Sequence, residues 1–315
     1  MRPNFFIVGA PKCGTTSLYH YLRQHPDVFL PHSESEYWRY KEPNHFCQDL
    51  IAWPGLCVET TEKYLSLFEA ARREKRIGEA SALNLYSKEA AQNIARFTPD
   101  AKIIIMLRHP VDMMRSWHHD CMRWGHETEG DFEKAVLLED ARRKGKSLPN
   151  GTGYPSCLVY RDIASFGAQV QRYYDAFGKD RVGVWLLEDM ASDPGETFTQ
   201  ITAFLGVDPA FKPQFEIHNP KKDITHADMV NHGLKRMLRQ YVGWARHIKP
   251  YVPARIRTRI EKGFNTNTKP VSLNTPDPVF LASLAESMSG DISHLSMLIG
   301  RDLSHWYTKH LLAAA

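Results

Sequence analysis

No two cysteines stand at Cys-x-x-Cys spacing: Cys13, Cys47, Cys57, Cys121 and Cys157 are scattered along the chain and odd in number. That pattern argues against a disulfide framework or a structural zinc site, and reduced thiols in a cytoplasm are expected. No stretch approaches the roughly 18 to 20 apolar residues that span a bilayer. The opening Met1-Arg2-Pro3-Asn4-Phe5-Phe6-Ile7-Val8-Gly9 has too short an apolar run for a signal peptide and no small-residue cleavage pattern after it. Charge of one sign is missing too. Forty basic residues against 36 acidic leave a net +4, too near balance for nucleic acid to be the main ligand, although a local anionic ligand stays open. There is no internal repeat and no low-complexity tract. What remains is ordinary globular composition, 43% hydrophobic and 24% charged over 315 residues, enough for a substantial core in one large domain or two smaller ones.

Hydrophobic patterning then supplies an order of elements. Phe5 to Val8 is a short apolar run closed by Gly9, and Leu18, Tyr21 and Leu22 follow at helical spacing until His25-Pro26. Ile103 to Leu107 reads as a buried strand, with Pro110 suited to the first turn of the next helix. Ile163, Phe166, Val170, Tyr173, Tyr174 and Phe177 predict one amphipathic helix leading to a strand over Val182 to Leu187. A helix around Phe198, Ile201 and Leu205 closes at Gly206. Repeated strand and helix units imply an α/β fold, a central parallel sheet flanked by helices on both faces. Core packing explains these aromatics, so no chemistry is assigned to them. Gly145 to Pro155 is rich in turn formers and reads as a loop that can cover a site. Between Lys235 and Lys262 nine Lys and Arg face one acid, Glu261: a solvated basic face, or a surface for an acidic acceptor or a membrane.

Two segments carry chemistry. The first is Pro11-Lys12-Cys13-Gly14-Thr15-Thr16-Ser17, between the first strand and helix. Such a turn aims backbone N–H groups and a positive helix end at one spot, a seat for phosphate, and the hydroxyls add donors. Gly9 to Gly14 has the G-x-x-x-x-G spacing of a P-loop, yet Thr15 stands where the Walker lysine belongs and Lys12 lies inside the loop. A P-loop kinase would also hold magnesium with an acid at a strand end. Here the matching strand ends Leu107-Arg108-His109. The second segment is Arg108-His109-Pro110 with Ser116 eight residues beyond the arginine. At the carboxyl end of a parallel strand the arginine can grip a phosphate bidentately, with Ser116 two turns into the helix beside it; alternatively it is a strand-end salt bridge. No metal is expected at this site.

The two segments together resemble the sulfotransferases that use 3'-phosphoadenosine 5'-phosphosulfate (PAPS). The resemblance continues through Lys41-Glu42-Pro43-Asn44-His45-Phe46, Gly78-Glu79-Ala80-Ser81, Phe204-Leu205-Gly206-Val207 and Leu298-Ile299-Gly300-Arg301-Asp302-Leu303. It runs more loosely over 56–76 and 225–274, the latter a basic, mostly helical variable segment of what would be one domain over 1–315. The branch it most resembles holds the heparan sulfate N- and O-sulfotransferase domains and bacterial relatives.

The resemblance implies a P-loop-like sulfotransferase fold in which Lys12, Cys13, Gly14, Thr15, Thr16 and Ser17 hold the 5'-phosphosulfate, and Arg108 and Ser116 the 3'-phosphate. Glu42 would be the catalytic base, with Lys41 and Lys12 stabilising the transferring group. Lys221 and Lys222 are further candidates for the nucleotide, or an exposed turn. His20, His45, His118 and His119 are competing bases, and of the last two one is expected to face the site and the other to pack. Heparan enzymes commonly carry Glu-Lys-Ser or Glu-Lys-Thr where this chain has Glu79-Ala80-Ser81, which argues against a heparan-like glycan acceptor. A cytoplasmic small metabolite, lipid or saccharide is expected as acceptor, O- or N-sulfated. A P-loop nucleotide kinase and a catalytically inactive nucleotide-binding module remain the alternatives.

Overall fold

A computed structural model describes residues 1–34, 36–53, 55–216 and 274–311. Lys221, Lys222 and the basic stretch over 235–262 lie outside the described residues. Five strands form one parallel sheet: β1 (Phe5–Gly9), β2 (Val28–Phe29), β3 (Arg76–Ala80), β4 (Lys102–Leu107) and β5 (Val182–Leu186), in the order β2-β3-β1-β4-β5. All residues of β1 are buried, and so are all of β4 except Lys102. Strands covered on both faces need continuous apolar runs, and Phe5-Phe6-Ile7-Val8 and Ile103-Ile104-Ile105-Met106-Leu107 supply them.

From β1 the chain moves to β3 through α1 (Thr15–Leu22), α2 (Tyr37–Lys41) and α3 (Thr61–Ser66). It then crosses back past β1 to β4 through α4 (Ala90–Phe97). Because parallel crossovers are right-handed, this reversal puts α1 and α4 on opposite faces. α5 (Pro110–Arg123), α6 (Phe132–Leu137), α7 (Glu139–Arg143), α8 (Tyr160–Ile163) and α9 (Phe166–Phe177) lead to β5, with α9 packed on α4, β4 and β5. After β5 come α10 (Leu187–Ser192) and α11 (Pro194–Leu205), and the Phe215 ring bridges Tyr21 of α1 and Phe198 of α11. The reversal of direction at β1 makes the crevice beyond its carboxyl end the place where open α/β sheets receive ligands.

The elements expected from periodicity form, with three differences. Residues 163–177 are two helices, α8 and α9, because Gln169 donates its side-chain N–H groups to the carbonyls of Asp162 and Ile163 and so satisfies the break. The last strand stops at Leu186, and Leu187 opens α10. α1 starts at Thr15 and ends at Leu22, one turn before His25-Pro26. The close at Gly206 is as expected, with φ 72° at the C-cap of α11. The loop over Gly145 to Pro155 is tied down: Trp53 Nε1 donates to the Thr152 carbonyl (2.8 Å), Ala52 N to the Gly153 carbonyl (2.9 Å), and Arg142 Nε to the Ser147 carbonyl (3.4 Å). Arg142 is itself buried against Glu127 at 2.7 Å. Among the described residues no helix is long and apolar enough to cross a membrane.

Candidate functional site

β1 carries Gly9 to the carboxyl edge of the sheet, where only a glycine fits. A Cβ there would lie 2.4 Å from Leu85 Cβ and 2.9 Å from the Ala82 carbonyl, and Leu85 N donates to the Val8 carbonyl at 2.7 Å. The turn after β3 therefore rests on the base of the loop after β1. Beyond Gly9, Ala10 N donates to the Met106 carbonyl (2.6 Å), and Lys12 and Gly14 take φ of 63° and 86°. Gly14 is the N-cap of α1, its missing side chain leaving room for Leu187 Cδ1 at 2.8 Å from where a Cβ would be. No side chain caps this helix. The first-turn N–H groups, which have no intrahelical acceptors, thus stay available at the positive end of the helix, and an anion is their natural partner. Burial pushes the Cys13 thiol well up, so it is not a thiolate, and what Cys13 offers an anion is its backbone.

The second anchor meets the first directly. Arg108 Nη1, at the end of β4, donates to the Lys12 carbonyl at 3.3 Å. Asp112, Ser116 and Asp120 lie at i, i+4 and i+8 on α5, hence on one helix face. Asp112 Oδ2 lies 3.9 Å from Arg108 Nη2 and 2.5 Å from Lys309 Nζ, while Asp120 Oδ2 accepts from Lys12 Nζ at 2.6 Å. Ser116 thus sits on the helix face between the carboxylates that pair with Arg108 and Lys12. His109 is packed: its N donates to Glu188 Oε1 (3.2 Å) and its Nε2 to the Trp306 carbonyl (2.7 Å).

The third part enters from the opposite flank of β1. Lys41, its side chain only 1% exposed, pairs with Glu42 Oε1, and Ala82 N donates to Glu42 Oε2 at 2.7 Å. Asn44, at φ 51°, donates its N–H to Ser81 Oγ at 3.0 Å. Behind these lies Glu79, fully buried, accepting from Tyr64 Oη (3.0 Å) and Asn84 Nδ2 (3.3 Å). Burial pushes its carboxyl up to about 7; Ser81 and Tyr64 hydroxyls oppose the rise, the Glu42 carboxylate adds to it, and Lys41 opposes it.

An acid whose folded pKa exceeds its ordinary value of 4.5 binds more protons folded than unfolded between those two values, so its contribution to stability falls as pH rises through that window. Glu79→Gln stays neutral throughout. Its thermal midpoint relative to wild type is expected to climb between about pH 4.5 and about pH 7 and to level off above that; a difference that does not change with pH would contradict the burial argument.

The sequence-predicted residues come together in three clusters at one edge of the sheet: Lys12 to Ser17 after β1, Arg108 and Ser116 after β4, and Lys41 with Glu42 beside the end of β3. Of His118 and His119, His118 is the one that packs: burial holds its pKa down, its Nε2 donates to the Glu129 carbonyl (2.8 Å), and it lies edge-on to Phe132 and Tyr160. His119 is half-buried. His45 stacks on Tyr64 with Nδ1 donating to the Val58 carbonyl (2.6 Å), its pKa lowered by burial, and His20 stacks on Tyr37.

Three acids at the site were not singled out from sequence. Asp112 and Asp120 were signalled by their i±4 spacing from Ser116, whereas Glu188 had no local signal, because it reaches His109 only through the pairing of β4 with β5. Among the described residues no cluster of three His, Cys, Asp or Glu side chains is arranged to hold a metal ion.

Residues 3–212 match the family model described as "Sulfotransferase family". The structure is similar to the crystal structure of a sulfotransferase from Alicyclobacillus acidocaldarius, with a TM-score of 0.69, 30% identity, and coverage of 97% of this chain and 99% of that one. Carbohydrate sulfotransferase 15 of Mus musculus is 26% identical over 255 residues, covering 67% of this chain and 45% of the mouse protein. Bifunctional heparan sulfate N-deacetylase/N-sulfotransferase 4 of Mus musculus is 26% identical over 216 residues, covering 66% of this chain and 23% of that protein. The chain therefore spans less than half the length of these two relatives. The fold, the family match and the similarity across almost the whole bacterial structure agree, and the chain belongs to the sulfotransferase family.

Proposed function

We propose that the protein transfers a sulfuryl group from PAPS to a hydroxyl or amine, releasing adenosine 3',5'-bisphosphate. The observation that carries this reading is the bond from Arg108 to the Lys12 carbonyl, which brings the loop after β1 and the arginine after the adjacent strand β4 within one side chain of each other. A nucleotide with anionic groups at both its 5' and 3' positions suits such a pair. The amides and hydroxyls of Cys13 to Ser17 hold the 5'-phosphosulfate, and Arg108 and Ser116 hold the 3'-phosphate. Lys221 and Lys222 remain part of the proposal for the nucleotide, on the family resemblance alone.

Sulfuryl transfer resembles phosphoryl transfer in passing through a loose, in-line arrangement, so catalysis is placement and charge stabilisation. As the acceptor oxygen or nitrogen bonds to sulfur, the bond from sulfur to the bridging oxygen breaks and negative charge grows on the phosphate. Lys12 neutralises that charge, Lys41 assists, and Glu42 takes the acceptor's proton. Glu42 is 18% exposed beside a lysine that is nearly buried, so it can reach an acceptor while Lys41 stays fixed in the wall.

For the acceptor, a cytoplasmic small molecule, lipid or saccharide is proposed. The carbohydrate enzymes among the relatives favour a saccharide, and Ala80, where the heparan enzymes commonly carry a lysine, argues against a heparan-like one. Incubation with sulfur-labelled PAPS and fractionated extract from the source, followed by mass spectrometry, should yield a labelled product whose formation requires no divalent metal. Label that never leaves PAPS across a broad acceptor panel would favour the inactive nucleotide-binding module.

A further inference from the structure

We propose that Glu79 and Ser81 are positioning residues for Glu42: together they lock the turn that carries the base onto the end of β3. The proposal rests on the reading of Glu42 as the base. Glu42 is attached to the neighbouring segment at two points. Its own Oε2 accepts from Ala82 N, and two residues later Asn44 N donates to Ser81 Oγ. Asn44 stands at φ 51°, in the left-handed region that asparagine tolerates better than most residues, and Ser81 fastens its N–H in that conformation. Ser81 is fully buried and is hydrogen-bonded in turn to Glu79. Glu79 is gripped from behind by Tyr64 and Asn84. The result is a buried relay from α3 through Tyr64, Glu79 and Ser81 to Asn44.

Burial and the Glu42 carboxylate favour an uncharged carboxyl in that relay, and the Ser81 and Tyr64 hydroxyls and Lys41 only partly offset them. Tyr64 from α3 and Tyr173 from α9 are buried phenols, Cys47 is a buried thiol, and Glu42 is a like charge; Lys41, the one cation, is already paired with Glu42. A neutral acid that accepts from Tyr64 and Asn84 and shares a hydrogen bond with Ser81 can be imitated by glutamine, whereas alanine removes all three bonds and leaves a void.

Ser81→Ala deletes one hydroxyl with no loss of packed volume, and it carries the test. In hydrogen–deuterium exchange read by mass spectrometry, the peptide spanning 41–46 should exchange roughly 3- to 10-fold faster in Ser81→Ala and Glu79→Ala, the effect of losing one or two buried hydrogen bonds. It should be unchanged in Glu79→Gln. Affinity for adenosine 3',5'-bisphosphate should stay at the wild-type value in Ser81→Ala and Glu79→Gln. Release of labelled sulfate from PAPS with water as acceptor should fall by about 10- to 100-fold in Ser81→Ala, since a misplaced base loses its alignment. Wild-type exchange over 41–46 in Ser81→Ala, or exchange in Glu79→Gln as fast as in Glu79→Ala, would overturn the proposal. The exchange measurement does not depend on which residue is the base, whereas turnover of Glu42→Gln does, so the two readings fail separately.

Discussion

Glu42→Gln is expected to lower sulfuryl transfer by about 100- to 10,000-fold, the usual cost of removing a well-placed general base, with adenosine 3',5'-bisphosphate binding unchanged. Glutamine keeps the size and the acceptor oxygen that Ala82 N uses, so the turn should survive. What it loses is the carboxylate that takes a proton and the charge that Lys41 faces from a nearly sealed wall. Binding should not follow turnover down, because the proposed nucleotide seat lies after β1 and β4 and Glu42 enters from the β3 side. Parallel rate and affinity losses would mean that Glu42 supports the pocket and that the base lies elsewhere, His119 being the next residue to test.

Arg108→Ala should do the reverse, weakening adenosine 3',5'-bisphosphate first. Truncating one partner of a hydrogen-bonded charge pair costs about 2 to 5 kcal/mol when it is buried. Arg108 is 26% exposed, which screens part of that, and the low end, roughly 30- to 150-fold in Kd, is expected. Arg108→Lys should recover only part of the loss, because an ammonium keeps the charge without the planar fork. The variant also frees the Lys12 carbonyl, so a companion melting curve should show a modest drop. An Arg108→Ala protein with wild-type nucleotide affinity would return the arginine to its alternative role as a strand-end salt bridge.

How much of this was legible depended on whether the determinant was local. The loop at Gly9 to Ser17 could be read because a buried strand, a turn and a helix follow one another within a few residues, and Pro110 marked the start of α5 for the same reason. β3 was not readable as a strand: Arg76-Ile77-Gly78-Glu79-Ala80 has one large apolar residue, and its buried carboxylate makes sense only beside Tyr64, Asn84 and Ser81. The motif Glu79-Ala80-Ser81 was noticed as a departure from the heparan branch, but its place next to Glu42 comes from the β1–β3 pairing and the fit of Ala82 against Gly9. The pairing of Lys12 with Asp120 and the bond from Arg108 to the Lys12 carbonyl are tertiary as well: spacing marks Asp120 as sharing a helix face with Ser116, but nothing local says that it meets a lysine 108 residues away.

The central claim is that this seat is built for PAPS and not for ATP with magnesium. Titration calorimetry of the protein with adenosine 3',5'-bisphosphate in the presence of a chelator, set against ATP with magnesium, tests it most directly. Saturable binding of the bisphosphate without metal, lost on Arg108→Ala, and much weaker binding of ATP is the predicted result. Tight magnesium-dependent binding of ATP with no binding of the bisphosphate would contradict it.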